Sequence, residues 1–259
     1  MFNRLVDELA VCGFNAVRSV ADFHPDTINR FFMTADRLPQ FTDLCHDLSE
    51  RKRPYKICDA QELEKICKTT HHQGVVAMVR EPEPVPLSRE DLLQWAEEAA
   101  TGIVLHSVGN DHNLGAIIRS AAFFDAKYAV ISELDEYARL TTAAYRVAEG
   151  GFEHVKVRQV RKTELFLKDA SKNLIIIGAE MRSRLRLSDL PSIIEEKRAA
   201  GAKKNSKLGL ALVVGNEENG LPDIIKDCCT ALVRIPGSGN IESLNVAAAA
   251  TLFLSKMYE

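Results

Sequence analysis

The sequence predicts an α/β protein of two domains, in which the larger, C-terminal domain is built on a mostly parallel sheet. Segments such as TGIVLHSV, NLIIIGAE and LGLALVVG are continuously apolar and alternate with helical patterns, as in a parallel sheet covered on both faces. Residues 80–86 carry prolines at alternate positions, which favour an extended linker because proline fixes φ and lacks an N–H donor. We therefore expect a first domain over residues 1–80, a linker over 81–97 and a second domain over 98–259.

Both domains alternate between strand and helix patterns. The first is expected to be a small α/β unit, with a helix start over residues 26–32, strands in RFFMTA and VVAMV, helices over residues 41–51 and 61–68, and a loop at 71–74. The second alternates more clearly. Its expected elements are, in chain order, the strand TGIVLHSV, the helix NLGAIIRSAAFFDA, the strand YAVIS, a helix over 141–148, the strand HVKVRQV, a helix over 164–170, the strands NLIIIGAE and LGLALVVG, the helix PDIIKDC, the strand CTALVRIP and a helix over 243–258.

Composition is that of an ordinary globular protein. Of the 259 residues, 46% are hydrophobic and 27% are charged, so the chain is able to bury a sizeable core. No apolar run approaches the ~20 residues that a membrane helix needs, and the N-terminus lacks the apolar stretch of a signal peptide. We therefore expect a cytoplasmic protein without membrane contact.

The charge and the cysteine content restrict the possible chemistry but do not identify it. The net charge of −3 does not by itself indicate a nucleic-acid partner, although basic clusters occur within residues 51–56, 182–186 and 197–207. Each cluster taken alone is typical of a solvated surface. None of the six cysteines belongs to a C-x-x-C pair, so we expect free thiols and no metal site.

Three polar loops follow predicted strands, and ligands bind at the carboxyl ends of strands in open parallel sheets. The first loop, residues 109–115, leads into a helix that carries Arg119. Asn113 is expected to cap this helix, and helical spacing would place Arg119 above Gly115 and Ala116, with room for a ligand group beside it. A guanidinium suits a phosphate or a developing oxyanion, although an arginine here is also compatible with a surface salt bridge.

The other two loops are also rich in glycine. Residues 215–220 place Glu217 and Glu218 between two glycines, and glycine lets a backbone approach a ligand closely. A plain connecting turn is the alternative interpretation of this loop. Residues 235–245 precede an alanine-rich helix, for which Ser243 is the expected N-cap.

Other nucleotide-binding and hydrolase patterns do not fit this sequence. The G-x-G at residues 237–239 lacks the following strand with an acidic residue that a dinucleotide-binding or class I methyltransferase fold needs. The sequence contains neither the G-K-[ST] of a P-loop nor the G-x-S-x-G of a hydrolase. An unrelated small-molecule enzyme would need a catalytic His, Cys or metal cluster, and the sequence does not present one.

Together, the three loops resemble the three motifs of the SpoU/TrmH family of RNA methyltransferases. The matching segments, NLGAIIRSAA, VVGNEENGL and RIPGSGNIESLNVAAA, follow the family's order within residues 98–259. Each motif is weak alone, but three in order are specific. The first domain resembles the family's RNA substrate-binding module, with GFNAV near its start and THHQGVVA near its end.

The resemblance implies a parallel-sheet domain with a deep trefoil knot, in a homodimer whose active site is completed across the interface. It implies S-adenosylmethionine as the cofactor and a ribose 2′-hydroxyl of structured RNA as the methyl acceptor, with ribosomal RNA favoured over transfer RNA. The residues implied to bind the cofactor are Ala179, Gly215, Ile235 and Leu244. The implied catalytic set is Asn113, Arg119, Glu217, Ser243 and Asn245.

The family assigns Arg119 the role of base. Because arginine is effectively always protonated, we expect it instead to fix the neighbouring phosphate and stabilise the nascent alkoxide, while the proton passes to phosphate or water. Asn113 and Asn245 would orient these groups, and Glu217 would hold Arg119 or Asn113. Two alternatives stay open: a catalytically silent RNA-binding or ribosome-assembly protein on the same fold, and a methyltransferase that acts on a base.

Overall fold

The computed structural model describes residues 8–83, 85–133, 140–202, 207–216 and 219–259. The chain divides into two units, one of Met1–Glu83 with Leu140–Glu153 and the other of Pro84–Arg139 with His154–Glu259. Leu140–Glu153 lies within the stretch 98–259 that the sequence assigns to the second domain. The division between the units therefore differs from the expected one at this segment.

The first unit is built on a four-stranded sheet. Its strands are β1 (Glu8–Cys12), β2 (Ile28–Met33), β3 (Tyr55–Ile57) and β4 (Val75–Arg80), in the order β1–β4–β2–β3, and only β2 and β3 run parallel. Its first three helices are α1 (Phe14–Phe23), α2 (Thr42–Glu50) and α3 (Ala60–Cys67). The predicted strands before residue 80 and the predicted helices near 41–51 and 61–68 are confirmed. The helix start expected over residues 26–32 is wrong, because Ile28–Met33 pair with neighbouring strands as β2.

The segment Leu140–Glu153 completes the core of the first unit. It contains the helix α6 (Thr142–Ala148), from which Tyr145 joins a buried cluster formed by β1, β2, β4, α1 and α2. The Tyr145 ring stacks on that of Phe152, with centroids 4.4 Å apart. Burial raises the pKa of the Tyr145 phenol, so this ring is held in the core as a neutral group.

The second unit contains one eight-stranded sheet in which every neighbouring pair is parallel. The strands are β5 (Val85–Pro86), β6 (Thr101–Leu105), β7 (Tyr128–Ser132), β8 (Lys156–Val160), β9 (Leu174–Ala179), β10 (Leu185–Arg186), β11 (Gly209–Val214) and β12 (Ala231–Arg234). Their order across the sheet is β10–β12–β9–β11–β6–β7–β8–β5. The predicted mostly parallel sheet is confirmed.

Helices cover this sheet, and two of them are absent from the sequence prediction. The helices of the second unit are α4 (Arg89–Glu97), α5 (Asp111–Phe123), α7 (Thr163–Ala170), α8 (Leu190–Ala202), α9 (Asp223–Lys226) and α10 (Val246–Tyr258). The unpredicted helices are α4 and α8. In the part of the chain that the structure describes, no helix is long and apolar enough to cross a membrane.

The stretch 81–97, expected to be an extended linker, is instead largely part of the second unit. Val85 and Pro86 form β5, which pairs with β8 at the edge of the sheet, and α4 begins three residues later at Arg89. The helix starts with a capping box, in which the Ser88 hydroxyl accepts from the Asp91 N–H and the Asp91 carboxylate accepts from the Ser88 N–H. This local start signal outweighs the extended preference of the prolines before it.

Trp95 anchors α4 on the sheet. Its ring is buried and stacks on Tyr128, with centroids 4.7 Å apart, and its indole N–H donates to the carbonyl oxygens of Ala100 and Leu210. An added Cβ on Gly102 would lie 2.2 Å from Trp95 Cζ2, and one on Gly209 would lie 2.7 Å from Trp95 Cδ1. These two glycines are therefore required by the space that the indole occupies.

Asp91 ties α4 to strand β8 as well as capping the helix. Its two carboxylate oxygens each accept a hydrogen bond of 3.0 Å from the Arg158 guanidinium, and both side chains are largely buried. Burial alone would raise the pKa of Asp91, but the hydrogen bonds from Arg158 and Ser88 outweigh it and hold the pKa below its usual range.

We expect Asp91→Asn to lower the free energy of unfolding by about 3 kcal/mol at pH 7, because it leaves the buried Arg158 without its carboxylate partner. The deficit should become smaller as the pH falls below about 4, the ordinary pKa of an aspartate. An aspartate with a lowered folded-state pKa contributes stability above its unfolded pKa and loses it as the pH falls through the folded pKa. Urea titrations of the two proteins at pH 7 and pH 3 measure this. Glu90→Gln, at the exposed neighbouring position, is the control and should change stability little at either pH.

A candidate active site at the carboxyl edge of the parallel sheet

Three of the four residues expected to bind a cofactor lie at the carboxyl ends of neighbouring strands. Ala179 is the last residue of β9 and pairs with Val233 of β12. Gly215 and Ile235 directly follow β11 and β12, which flank β9 in the sheet. Leu244 lies in the segment before α10, with 52% of its surface exposed. The parallel topology therefore brings the ends of the strands together, as the sequence predicts.

In the loop after β11, the backbone at the start of the loop lies very close to the backbone at its end. Asn216 and Gly220 form an antiparallel bridge, and the Gly220 N–H donates to the Asn216 carbonyl oxygen at 2.9 Å. An added Cβ on Gly215 would lie 2.4 Å from the Gly220 carbonyl oxygen. Gly220 itself has a φ of +63°, which favours glycine. Both glycines are thus needed to close this loop. Glu217 and Glu218 lie outside the described residues.

Asn216 links this loop to the one that follows β6. Its side-chain N–H donates to the Ser107 carbonyl oxygen at 3.1 Å, and its Oδ1 accepts from the Asn219 N–H at 3.2 Å. Next to this contact, the His106 N–H donates to the Val214 carbonyl oxygen. Asn216 therefore ties the loop after β11 to the segment between β6 and the first motif loop. Asn216 was not among the predicted site residues, although an asparagine shortly after the end of a strand is a signal for a side chain bonded to a turn.

Asn113 does not cap α5, contrary to the prediction. The helix begins at Asp111, and the N-cap is Asn110, whose Oδ1 accepts from the His112 N–H at 2.8 Å. Asn113 is therefore the third helical residue, and its side chain is able to make another contact. Its Oδ1 accepts a hydrogen bond of 2.9 Å from the side-chain N–H of Asn245. Two residues of the expected catalytic set are thus in direct contact.

Ser243 does not cap α10 either, because that helix begins only at Val246. Asn245 is the N-cap, and its Oδ1 accepts from the N–H groups of Ala247 at 2.9 Å and Ala248 at 3.4 Å. Both ends of the Asn245 amide are therefore engaged: the oxygen holds the helix terminus and the nitrogen holds Asn113. Ser243 is exposed in the segment just before this cap.

We expect Asn245→Ala to reduce stability by about 1 kcal/mol, because it removes the acceptor for two helix N–H groups. Asn245→Asp also loses the donor to Asn113, but it keeps an acceptor at the helix N-terminus, where a negative charge is favourable, and should reduce stability less than alanine does. Urea titration gives both values. Asn240→Ala, in the exposed part of the same loop, is the control. Equal losses for the alanine and aspartate variants of Asn245 would contradict the capping role.

Arg119 lies on the exposed surface of α5, and helical spacing places it near Gly115, which is buried. The expected partner Glu217 lies outside the described residues, so the contact between Glu217 and Arg119 or Asn113 stays a prediction. The structure thus joins Asn113 to Asn245 and places both on helices that begin at the same edge of the sheet.

The helices that carry this pair are packed together. α10 packs on α5 and on β11, and its residues Ala247 and Ala250 are buried. The hydroxyl groups of Ser120 on α5 and Thr251 on α10 form a hydrogen bond of 2.7 Å. Small side chains and this bond fix the spacing of the two helices, which in turn fixes the distance between Asn113 and Asn245.

The ends of α5 and α10 also present apolar side chains to the outside. Phe123 is 79% exposed and Tyr258 is 65% exposed. Phe124 lies between them, with ring centroids 5.0 Å from Phe123 and 6.1 Å from Tyr258. Adjacent exposed aromatic rings on a structured surface indicate an interaction site.

Comparisons with known proteins match most of each unit to a separate family model, although residues 140–153 of the first unit fall within the match of the second. The family model for the SpoU rRNA methylase family matches residues 100–255, and the model for RNA 2′-O ribose methyltransferase substrate binding matches residues 10–85. The chain is 34% identical to the 23S rRNA (guanosine-2′-O-)-methyltransferase RlmB of Acinetobacter baylyi, and the match covers 93% of each protein. It is 31% identical to the protein of the same name from Nitrosomonas europaea, over 96% of this chain and 90% of that protein.

Solved structures show the same fold. An rRNA methyltransferase from Sinorhizobium meliloti matches with a TM-score of 0.72 and 21% identity, over 98% of this chain and 87% of that one. The SpoU methyltransferase AviRb from Streptomyces viridochromogenes, in complex with AdoMet, matches with a TM-score of 0.69 and 18% identity, over 98% of this chain and 91% of that one.

Proposed function

This chain belongs to the SpoU rRNA methylase family, and we infer that it transfers the methyl group of S-adenosylmethionine to a ribose 2′-hydroxyl of structured RNA. The observation that carries this inference is the joint match of residues 100–255 to the methylase model and of residues 10–85 to the substrate-binding model. The protein is accordingly a methyltransferase that uses S-adenosylmethionine. We propose ribosomal RNA, rather than transfer RNA, as its substrate.

We propose that the cofactor lies among the three loops at the carboxyl edge, against Ala179, Gly215, Ile235 and Leu244. Exposed apolar side chains near these residues support a nucleoside site there, since an adenine ring is able to cover Leu244 and Ile241. The bound cofactor supplies an electrophilic methyl group on a positively charged sulfur.

In the proposed mechanism, Arg119 holds a phosphate of the RNA and stabilises the oxyanion that develops on the ribose oxygen. Arginine remains protonated, so the proton of the hydroxyl passes to phosphate or water. The Asn113–Asn245 pair, fixed by the two packed helices, orients the reacting groups. Ser243 lies two residues before Asn245 and contributes a further hydroxyl, while Glu217 holds Arg119 or Asn113.

We propose that the C-terminal part of the second unit forms a deep trefoil knot, as the family resemblance implies. The strand order supports this. From β9 the chain crosses to the edge strand β10, returns to β11 on the other side of β9, and then places β12 between β9 and β10. A last strand inserted between two earlier ones is the arrangement that a threaded chain produces.

We propose a cytoplasmic, metal-independent homodimer in which the exposed rings at the ends of α5 and α10 are covered by a second copy. Phe123→Asp should then convert the dimer to a monomer, because it places a charge in an apolar contact. Size-exclusion chromatography with light scattering measures the mass. Phe23→Asp, at an exposed phenylalanine of the first unit, should leave the dimer intact. A monomeric unaltered protein would contradict the proposal.

The function is tested with purified full-length protein, labelled S-adenosylmethionine and unmodified 23S ribosomal RNA transcribed in vitro. The expected product carries label at a ribose 2′-oxygen, which makes the adjacent phosphodiester resistant to alkaline cleavage. Label on a base would favour the base-methylating alternative. Tight RNA binding without any transfer would favour the catalytically silent RNA-binding protein.

A further inference from the structure

Four arginines belong to strands β10 and β12 and to the short segment before β10, on the β10 side of the parallel sheet of the second unit. Arg186 of β10 and Arg234 of β12 are register partners in neighbouring parallel strands, about 4.8 Å apart along the hydrogen-bonding direction. Arg182 and Arg184 lie in the short segment that leads into β10. Arg182, Arg184 and Arg186 are exposed, and Arg234 is half-buried. These four residues form a surface that we call the edge arginine cluster.

Other cations of the same unit form ion pairs with carboxylates, and the edge arginine cluster differs from them in this respect. Arg158 is paired with Asp91, and Lys226 is paired with Glu180 at 2.7 Å. Burial raises the pKa of Glu180, but Lys226 and Arg182 together hold it below its usual value. The Glu180 carboxylate already forms its ion pair with Lys226. Among the residues that the structure describes, no carboxylate forms an ion pair with any member of the cluster.

The carboxylate nearest in sequence to the cluster is already engaged by backbone and hydroxyl donors. Asp189 accepts from the backbone N–H of Arg186 at 2.8 Å and from the Ser188 hydroxyl at 3.3 Å. It therefore caps the turn that follows β10. The excess positive charge of the cluster remains available to an external anion.

The backbone that carries the cluster is held firmly in place. The Ser183 hydroxyl donates to the Leu232 carbonyl oxygen at 2.5 Å and accepts from the Leu185 N–H at 3.1 Å. The Glu180 N–H donates to the Val233 carbonyl oxygen at 3.0 Å. The segment between β9 and β10 is thus fastened to β12 at both ends, so the arginines extend from a fixed base.

The edge arginine cluster adjoins a residue that is proposed to bind the cofactor. Arg234 directly precedes Ile235, one of the residues proposed to bind the cofactor. The carboxyl ends of the parallel strands β10 and β12 lie on the same side of the sheet as the carboxyl end of β9. We propose that the edge arginine cluster binds consecutive phosphates of the RNA substrate beside the ribose that is methylated. This inference rests on the proposed function. Guanidinium groups suit phosphates, and in a protein with a net charge of −3 a local cluster has to supply this attraction.

The test compares the unaltered full-length protein with a triple variant, Arg182→Gln, Arg184→Gln and Arg186→Gln. The probe is unmodified 23S ribosomal RNA transcribed in vitro, and filter binding gives the Kd at several salt concentrations. The triple variant should bind at least about tenfold more weakly at low salt, and the slope of log K against log salt should become shallower by about 2, since each lost phosphate contact removes roughly 0.7 to 0.9. Arg89→Gln is the matched control: Arg89 is exposed at the start of α4, near the opposite edge of the sheet, and the slope should not change.

Two further measurements separate this inference from the proposed function. The triple variant should keep its Kd for S-adenosylmethionine and its rate at saturating RNA, with the defect confined to KM for RNA. An unchanged salt slope would overturn the cluster as a phosphate site while leaving the methyltransferase function intact. A loss of S-adenosylmethionine affinity would also overturn it, because the arginines would then act on the cofactor. Failure of the unaltered protein to bind RNA would contradict both the proposed function and this inference.

Discussion

Replacement of Arg119 by alanine is expected to lower the rate of methyl transfer by more than about 100-fold, while the Kd for S-adenosylmethionine stays within about twofold. The reason is that the guanidinium acts on charge that develops at the ribose oxygen, a contact that is strongest in the transition state. Single-turnover assays with saturating RNA and cofactor measure the chemical step, and calorimetry measures cofactor binding. Full activity of Arg119→Ala would remove this residue from the mechanism.

The variant Arg119→Lys distinguishes a base from a fixed cation. If residue 119 removed the proton, a lysine there would make the rate rise with pH towards the ordinary lysine pKa of about 10.4. If it only holds charge, the lysine variant should have a lowered rate without that rise, because an ammonium lacks the planar fork of a guanidinium. Arg161→Ala, an exposed arginine after β8, is the control and should retain the rate of the unaltered protein.

The parallel sheet was predictable because its strands are buried on both faces. Strands such as β9 and β11 consist almost entirely of apolar residues, and short helical segments lie between such strands along the chain, a combination typical of parallel sheets. Their order across the sheet was not predictable from periodicity. Nothing in the composition of β12 indicates that it enters between β9 and β10, because strand order depends on contacts between segments far apart in sequence.

The unpredicted helices show where the patterns were weak. α8 buries only Leu190, Ile194 and Gly201, so its apolar stripe is too sparse to stand out. α4 buries Leu92, Trp95 and Ala96 within a single turn and a half, and the prolines before it favoured an extended segment. The capping-box signal at Ser88 was nevertheless present in the sequence, and it would have placed the start of α4.

The site was predicted in outline, but its local roles were not. Loops 109–115 and 235–245 both contain several residues that are able to cap a helix, and Asn113 and Ser243 were the predicted caps. The structure uses Asn110 and Asn245, because each helix begins at a different residue from the expected one. This difference has a consequence for the chemistry, since Asn113 contacts Asn245 instead of capping its own helix. The place of Leu140–Glu153 in the first unit was beyond prediction, since it depends on the burial of Tyr145 by distant strands.

Gly215→Ala adds only one methyl group, so it should test the cofactor site more directly than a larger side chain would. The Cβ of Gly215→Ala would lie 2.4 Å from the carbonyl oxygen and 2.5 Å from the carbonyl carbon of Gly220, and backbone atoms are unable to rotate away. The bridge between Asn216 and Gly220 must therefore open, and the loop after β11 must move from the edge of the sheet. We expect calorimetric titration to show the affinity for S-adenosylmethionine lowered by more than about 50-fold, which corresponds to about 2.3 kcal/mol.

Gly237→Ala is the matched control, because it adds the same methyl group to another of the three loops where it meets nothing within 4 Å. The control should bind S-adenosylmethionine within about threefold of the unaltered protein, a difference of less than about 0.7 kcal/mol. Circular dichroism and urea titration establish that both variants are folded. Normal binding by folded Gly215→Ala would place the cofactor away from the loop after β11. A strong loss in Gly237→Ala alone would shift the site towards the loop after β12. A loss confined to Gly215→Ala would show that cofactor binding depends on the close backbone contact that only glycine at position 215 permits.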